Sequence, residues 1–313
     1  MTELPIVAVV VVNWNRRDDT LACLASLQRS DYPRLDVIVV DNGSSDGSAA
    51  AIRAGFPRAT TLEAGDNLGF VEGCNRGIDA ARRRSAAYAL LLNNDTEIAP
   101  DCVRLLVEAA ESSPEIGVVG PTICYCDRPQ IVWSAGGTID WHHGRTRMLG
   151  LDQRDEGQFG QLSRPVDFVS GCALLAKMNV VNHVGPLDRR FFAYYEETEW
   201  CVRIKRAGFT ILHVPRAKVW HKTPPASAPP SFLVHYYMTR NRLLFLAVSG
   251  AGLRPRLYTL AFEYPRTLAS WTLRRRWRGW RAHRAVTIRA VRDYLAGRFG
   301  RAAWLEPRGS SQC

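Results

Sequence analysis

The amino-acid sequence predicts an α/β protein with a mostly parallel central sheet, followed by a helical and strongly basic C-terminal region. Three observations predict it. Apolar, largely β-branched runs alternate with helical stretches from residue 6 to about residue 95, the pattern of a doubly wound sheet with right-handed crossovers. The runs end on clusters of amide and carboxylate side chains rather than on ordinary turns. Beyond Pro224, Pro225, Pro229 and Pro230, which can continue neither sheet nor helix, the strand pattern stops and arginine dominates.

Ile6–Val12 is a continuous apolar run of the kind buried on both faces of a sheet. Asn13-Trp14-Asn15 follows, then a helical pattern with Leu21, Leu24 and Leu27 on one face. Leu35–Val40 is the next strand, closed by the polar, turn-forming stretch Asp41–Gly47. Ser48–Ala54 reads as a helix, Thr60–Glu63 as a short strand, and Asp66–Asn75 leads into a helix through about Arg84. Tyr88–Leu92 is a strand that ends on Asn93-Asn94-Asp95-Thr96. A helix over Val103–Glu111 and a short strand over Gly117–Pro121 come next. Trp133–Phe168, rich in Gly, Asp and Arg, reads as a long excursion, an antiparallel ribbon over the site. Phe168–Ala176 is a strand whose Ser170-Gly171 permits close backbone approach. Trp200–Ala207 reads as a helix with an acidic first turn, and Val214–Trp220 as a strand ending at His221. The boundary falls at the prolines: a domain over 1–225, divided into halves at about 1–97 and 98–225, and a helical basic region over 226–313.

Bulk composition narrows the function. With 46% hydrophobic and 23% charged residues the 313-residue chain is globular rather than disordered. It has no run of eighteen apolar residues, and Met1–Pro5 lacks a basic leader, so a cytoplasmic location is expected. The eight cysteines are scattered, with no Cys-x-x-Cys pair, and free thiols are expected. Residues 240–308 hold sixteen Arg, no Lys, two Glu and one Asp, a net +13, so the remainder sums to −2 against a total of +11. The basicity belongs to the C-terminal region alone.

In open α/β sheets ligands bind at the carboxyl ends of the strands. Asn13 and Asn15, Asp41 and Asn42, and Asn93, Asn94 and Asp95 all fall there. Asp95, one carboxylate among amides and a hydroxyl, suits a hard divalent cation that keeps waters and takes further ligands from phosphate. A polar turn capping the next helix accounts for Asn-Asp-Thr as well. Glu196-Glu197-Thr198-Glu199 is a fourth cluster; carboxylates there suit proton transfer and equally suit the first turn of a helix, where its dipole favours them. His221 can be a metal ligand or simply the end of a strand.

The motifs Val10–Asn15, Val39–Gly47, Asn67-Leu68-Gly69-Phe70-Val71-Glu72-Gly73-Cys74-Asn75, Leu92–Thr96, Glu196-Glu197 and Trp220-His221 occur in this order. In them the chain resembles the nucleotide-sugar-dependent glycosyltransferases of the GT-A fold, family 2, and within these the rhamnosyltransferase-like group, over about residues 5–225. The resemblance implies a donor site formed by Asn13, Asn15, Asp41, Asn42, Asp66, Asn67, Gly73, Asn75, Asn93 and Asn94, with Asp41 and Asp66 accepting from the base or ribose. Asn93-Asn94-Asp95 stands where the family carries Asp-x-Asp, so Asp95, with His221, is the implied holder of Mg²⁺ or Mn²⁺; an imidazole ligand tilts the choice to Mn²⁺. Glu196-Glu197 stands where Glu-Asp is usual, which makes Glu197, ahead of Glu196, the implied base, with Glu199 holding the base or an acceptor hydroxyl. The implied activity is inverting transfer from a nucleotide-diphosphate sugar, dTDP-rhamnose favoured over a UDP-sugar, to a glycan or lipid-linked acceptor. The Asn93 and Glu197 departures keep a catalytically silent nucleotide-sugar binder in view.

In the C-terminal region Trp271, Trp277 and Trp280 interleave with Arg274, Arg275, Arg276, Arg278 and Arg281, and Ile288, Val291, Leu295 and Phe299 recur at helical spacing. Arg with Trp on amphipathic segments reads as a surface for an anionic membrane, here the inner face. A packed helix with a solvated basic face and a nucleic-acid surface are the competing readings; no nucleic-acid motif is present, and none is expected as partner.

Overall fold

Strand β1 (Val7–Asn13), helix α1 (Arg17–Gln28), β2 (Leu35–Asp41), α2 (Ser48–Gly55), β3 (Thr60–Glu63), α3 (Gly69–Arg83) and β4 (Tyr88–Asn93) make the parallel half of the computed structural model, which describes residues 3–224 and 230–305. Pro225 and Pro229 of the proline cluster lie outside the described residues. The second half adds β5 (Thr96–Ile98), α4 (Cys102–Glu111), β6 (Ile116–Tyr125), β7 (Val132–Ser134), β8 (Gly137–Asp140), β9 (Arg145–Met148), β10 (Arg164–Pro165), β11 (Ala173–Lys177), α5 (Met178–Val184), α6 (Glu196–Arg206) and β12 (Thr210–His221). The C-terminal region is helical: α7 (Phe232–Val248), α8 (Leu253–Leu257), a π-helical turn over Tyr258–Glu263, α9 (Tyr264–Leu273), a 3₁₀ segment over Arg275–Trp280, and α10 (His283–Leu295).

The main sheet runs β10-β12-β6-β11-β4-β1-β2-β3, with β5 added beside β12 and β7 beside β6. Strands β3, β2, β1 and β4 are mutually parallel. Strand β11 lies antiparallel between β4 and β6, and β6 pairs β12 in parallel. Both faces are covered. Val7, Val9 and Val11 of β1 point to α1 and α4, while Val10 points to the side packed by α3 and α6. That full burial is why β1 reads as an unbroken apolar run. Helix α3 reaches the sheet closely because Gly73 faces β1: a Cβ there would sit 2.7 Å from Val12 Cγ1. Asp46 caps two helices at once, accepting from Arg17 N at 2.9 Å and Ser48 N at 3.0 Å.

Several boundaries differ from the sequence expectation. The strand expected over Phe168–Ala176 begins at Ala173, because Ser170–Cys172 forms a turn in which Ala173 N donates to Ser170 O at 3.2 Å. The strand expected over Gly117–Pro121 runs Ile116–Tyr125; Pro121 is accommodated where β12 slips register between Val214 and Lys218, a bulge that removes the need for its missing N–H. The helix expected from Trp200 starts at Glu196. The excursion does carry an antiparallel ribbon, β8–β9. It leans on α7, where Arg242 Nε donates to Gly144 O at 2.7 Å and Trp141 stacks on Phe245. Helix α7 itself contributes Leu244, Phe245 and Leu246 to the core shared with α3 and α6. The seven described cysteines are free.

Candidate active site

Parallel register sets the strand ends side by side: Asn13 lies opposite Asp41, Val12 opposite Asn93, and Asp41 opposite Glu63. Asn13 is the hub. Its Nδ2 donates to Asp41 Oδ1 at 2.7 Å and Ser44 Oγ at 3.0 Å, and its Oδ1 accepts from Thr20 Oγ1 at 2.8 Å and Asn94 Nδ2 at 3.1 Å. Asn13 is 0% exposed with its amide filled by protein partners, so it shapes the pocket rather than touching a ligand. Asp41 Oδ2 accepts from Ser44 N at 3.0 Å, and a carboxylate has lone pairs left for one further donor. Asn15, at φ +52, accepts from Ser45 N at 2.7 Å and holds the same loop from the other side. Asn42 donates to Gly69 O at 3.0 Å, while its Oδ1 is buried without a partner, an acceptor free for a ligand.

The other expected donor residues separate into two groups. Asp66 stands exposed at the rim, accepting from Asn67 N at 2.7 Å and from Arg301 Nη1 at 2.7 Å, so the C-terminal tail reaches back to this loop. Asn67 turns the chain into α3 by accepting from Gly69 N at 3.0 Å. Gly73 and Asn75 are corrections. Gly73 serves the close contact with Val12. Both ends of the buried Asn75 amide are taken by Leu187, at 2.9 and 3.0 Å.

Asp95 sits in the turn after β4, and β5 carries the chain directly alongside the end of β12, with Thr96 opposite His221. The three-residue β5 was missed because a strand so short has no pattern to read. It brings Asp95 Oδ1 within 3.1 Å of His221 Nε2, yet Asp95 Oδ1 is buried with no hydrogen-bond partner. Two cis ligands of an octahedral ion, each at about 2.1 Å, lie about 3.0 Å apart, so the pair fits a divalent cation. No third His, Cys, Asp or Glu joins them among the described residues; phosphate oxygens and water are the ligands such a cation would need. Asn93 and Asn94 flank this turn, and Asn94 Nδ2 is spent on Asn13 and Thr20, at 3.1 and 3.0 Å.

Glu196 and Glu197 open α6. Glu196 is buried and its Oε2 has no partner, while Glu197 is partly exposed and accepts from Thr198 Oγ1 at 3.3 Å. Gly171, in the turn before β11, lets the backbone approach the pair: a Cβ there would meet Glu197 Cβ at 3.2 Å. Burial, and next the charge of Glu197, hold the Glu196 carboxyl well above the ordinary carboxylate range; burial also raises that of Glu197. Of the two, Glu197 is the more exposed and the one that accepts a side-chain hydrogen bond. The Tyr194 phenol is pushed up to about 12 by burial and then by the charges of Glu196, Asp95 and Glu197. The Ser170–Cys172 turn lies between the two pairs: Cys172 O accepts from Asn93 N at 2.9 Å, two residues before Asp95, and a Cβ on Gly171 would sit 3.2 Å from Glu197 Cβ and 3.8 Å from Glu196 Oε1. Glu199 is a correction: both its oxygens accept from Arg203 Nε, at 2.7 and 2.9 Å, and Arg203 goes on to Val184 O at 3.1 Å and Pro186 O at 2.9 Å. It anchors α6 to the preceding loop.

Sequence reasoning missed how that loop is held. Phe192, Tyr194 and Tyr195 have φ of +65, +69 and +72, a conformation non-glycine residues rarely adopt. Asn241 of α7 fixes it, its Nδ2 donating to Phe191 O at 2.7 Å, Ala193 O at 2.7 Å and Tyr194 O at 3.0 Å. Arg240, also buried, donates to Asn241 Oδ1 at 3.0 Å and Gly300 O at 2.8 Å, its guanidinium 5.2 and 5.0 Å from the rings of Tyr236 and Tyr237. In sequence both sit in an apolar helix and carry no motif.

A family model described as glycosyltransferase like family 2 matches residues 5–240. The chain is 27% identical over 269 residues to the N-acetylglucosaminyl-diphospho-decaprenol L-rhamnosyltransferase of Mycobacterium tuberculosis (strain ATCC 25618 / H37Rv), covering 79% of this chain and 86% of that protein. It is 28% identical over 218 residues to the low-salt glycan biosynthesis hexosyltransferase Agl10 of Haloferax volcanii, covering 67% of this chain and 65% of that protein. Among solved structures, a mannosyltransferase from Pyrobaculum calidifontis in complex with GDP-Man and Mn²⁺ superposes with a TM-score of 0.58 at 16% identity, over 94% of this chain and 88% of the other. GalNAc-T7 with UDP, GalNAc and Mn²⁺ superposes with a TM-score of 0.60 at 14% identity, over 85% and 58%. The architecture is thus the GT-A fold expected from the sequence.

Proposed function

The chain belongs to glycosyltransferase like family 2 and is a glycosyltransferase; from that premise we propose that it is an inverting, metal-dependent enzyme that transfers a hexose, rhamnose from dTDP-rhamnose foremost and a UDP-sugar second, to a glycan or lipid-linked acceptor. One observation carries this reading: the Ser170–Cys172 turn links the pair Asp95 and His221 to the pair Glu196 and Glu197, Cys172 O accepting from Asn93 N at 2.9 Å while Gly171 lies against Glu197 and Glu196. Asp41 and the unpartnered Asn42 Oδ1 receive the nucleoside from the other side, with Asp66 at the rim. Asp95 and His221 would hold Mg²⁺ or Mn²⁺, which would neutralise charge on the departing diphosphate. Glu197, the more exposed of the pair, takes the proton of the acceptor hydroxyl as that oxygen bonds to the sugar carbon and the bond to the diphosphate breaks. Attack opposite the leaving group inverts the anomeric centre.

The mycobacterial relative is an L-rhamnosyltransferase, which supports the donor preference, and it acts on N-acetylglucosaminyl-diphospho-decaprenol, which supports a lipid-linked acceptor. We assign donor binding to residues 1–97 and acceptor binding to 98–225, the latter completed by α7. The basic C-terminal region, in which no described helix is long and apolar enough to cross a membrane, is assigned to the surface of an anionic membrane, on its cytoplasmic face. The test is nucleoside diphosphate release from a panel of nucleotide sugars with Mg²⁺ or Mn²⁺ and a membrane extract as acceptor. Release from one donor, reduced at least a hundredfold by Asp95→Ala and by Glu197→Gln, is expected. A donor that binds without turnover, whatever acceptor is supplied, would instead make the chain a silent binder.

A further inference from the structure

Arginines of the C-terminal region fall into two populations. Glu263 pairs Arg242 at 2.9 Å and Arg145 at 3.3 Å, and Asp293 pairs Arg289 at 3.0 Å and Arg298 at 3.7 Å. Those two acids are consumed by arginines packed elsewhere, and Arg266, Arg274, Arg275, Arg276 and Arg278 pair with no described carboxylate. Like charges clustered within thirteen residues of chain, 266 to 278, repel one another unless an anion lies among them.

The structure shows where that anion fits. The corner between α9 and the following 3₁₀ segment encloses a pocket of about 550 Å³ whose lining includes Arg266, Arg274, Arg276, Trp271, Trp277 and Leu273. Its floor is fixed: Trp271 is buried and stacks on Trp280 at 5.3 Å with 24° between the planes. Its lining carries an exposed apolar side chain, Leu273, 79% exposed, and Phe262, 53% exposed, lies next to that lining under the Arg266 guanidinium, 5.8 Å from the ring. Guanidinium forks match phosphate oxygens, and leucine and phenylalanine at the rim suit acyl chains at the headgroup boundary. RNA would use the arginines and Trp277 but gain nothing from Leu273.

We propose that this pocket binds the phosphate of an anionic phospholipid, with Leu273 and Phe262 set among the acyl chains, so that the enzyme docks through one defined lipid site rather than through diffuse charge. The proposal rests on the membrane reading of the C-terminal region given above, and goes beyond it by naming the site and its ligand.

Flotation of the full chain with phosphatidylcholine vesicles, with and without phosphatidylglycerol, tests it. Wild type is expected to bind only the anionic vesicles. Arg266→Gln/Arg274→Gln/Arg276→Gln is expected to lower that affinity about a hundredfold while donor binding, read by nucleotide fluorescence, stays unchanged. The control removes the same charge from exposed arginines outside the pocket lining, Arg58→Gln/Arg83→Gln/Arg216→Gln, and should change affinity less than about threefold if the pocket rather than diffuse charge holds the lipid. Equal losses in both triples would overturn the site and leave only diffuse attraction. Undiminished vesicle binding by the pocket triple would overturn the site while the membrane reading stands. No vesicle binding by wild type, or binding to an RNA oligonucleotide in its place, would end both. Short-chain phosphatidylglycerol below its micelle concentration should displace the vesicles where inorganic phosphate at equal concentration does not; displacement by phosphate alone would reduce the pocket to an anion site and overturn the lipid assignment.

Discussion

Replacing Asn241 by Ala removes the amide that ties α7 to the backbone just ahead of Glu196. The variant loses both Nδ2 protons, so the carbonyls of Ala193 and Tyr194 lose that donor and Arg240 Nε loses its acceptor, while Phe191 O keeps Ala193 N and Arg240 Nη2. Asn241 is 0% exposed, and a stranded buried polar group costs about 1–3 kcal/mol, so with partial relaxation the loss is about 3–5 kcal/mol. A fall in Tm on the order of 10 °C follows. The relaxation has a direction. Three non-glycine residues held at positive φ store roughly 1–3 kcal/mol each, and the loop releases that strain once unpinned, carrying the start of α6 with it. A displacement of about 1 Å at a reacting group lowers rate about a hundredfold. The assay is steady-state kinetics well below the new Tm, with circular dichroism to confirm the fold. We expect kcat to fall about a hundredfold while KM for the donor changes less than about threefold, because Asp41 and Asn42 belong to the other half. A folded Asn241→Ala enzyme with kcat within about threefold of wild type would refute the reasoning.

Three further outcomes are expected. The folded state raises the Glu196 carboxyl well above its reference value of 4.5, so its contribution to stability is full at pH below about 4.3 and is lost as pH rises through the folded value. Glu196→Gln should therefore raise Tm relative to wild type at neutral and alkaline pH, the gain vanishing in acid; a gain largest in acid would contradict the burial argument. His221→Ala and Asp95→Asn should each weaken Mn²⁺ binding on the order of tenfold or more, read directly from the electron paramagnetic resonance of free Mn²⁺ in the presence of nucleoside diphosphate, and unchanged titrations in both would dismiss the pair as a metal site. Glu199→Gln should cost about 2 kcal/mol by weakening the Arg203 contact yet leave the acidic limb of the kcat profile in place; a shifted limb would return Glu199 to the reaction.

What the sequence made legible follows from range. Apolar runs such as Val7–Val12 and Leu90–Leu92 announce strands because burial on both faces leaves no polar positions, and parallel pairing then forces Asn13, Asp41 and Asn93 to one edge. The order of motifs carried the family, and with it the fold. Individual tasks were less visible. Asn13, Gly73 and Asn75 sit inside ligand-like motifs but serve packing, since a buried amide bonded to protein and one facing a ligand are the same letter in a sequence. Glu199 reads as one more acid in a cluster until Arg203, one helical turn on, is seen to occupy it. Arg240 and Asn241 were invisible for the opposite reason: the carbonyls they hold lie 47 to 60 residues away, most of them in a loop whose left-handed backbone no propensity predicts.

The pinning of the 191–194 loop by α7, and of Asp66 by Arg301, bears on how the protein comes into being. Chains fold from the N-terminus as they leave the ribosome, and every strand of the main sheet precedes residue 222. A nascent chain can thus pair all the strands of its sheet while the segment before Glu196 still lacks Asn241 and the core beside α3 and α6 still lacks Leu244, Phe245 and Leu246. Catalytic competence arrives late, when α7 has cleared the exit tunnel, and the rim of the donor pocket is tied down later still, by the tail. A cell making this enzyme is spared a half-made transferase spending nucleotide sugar on water.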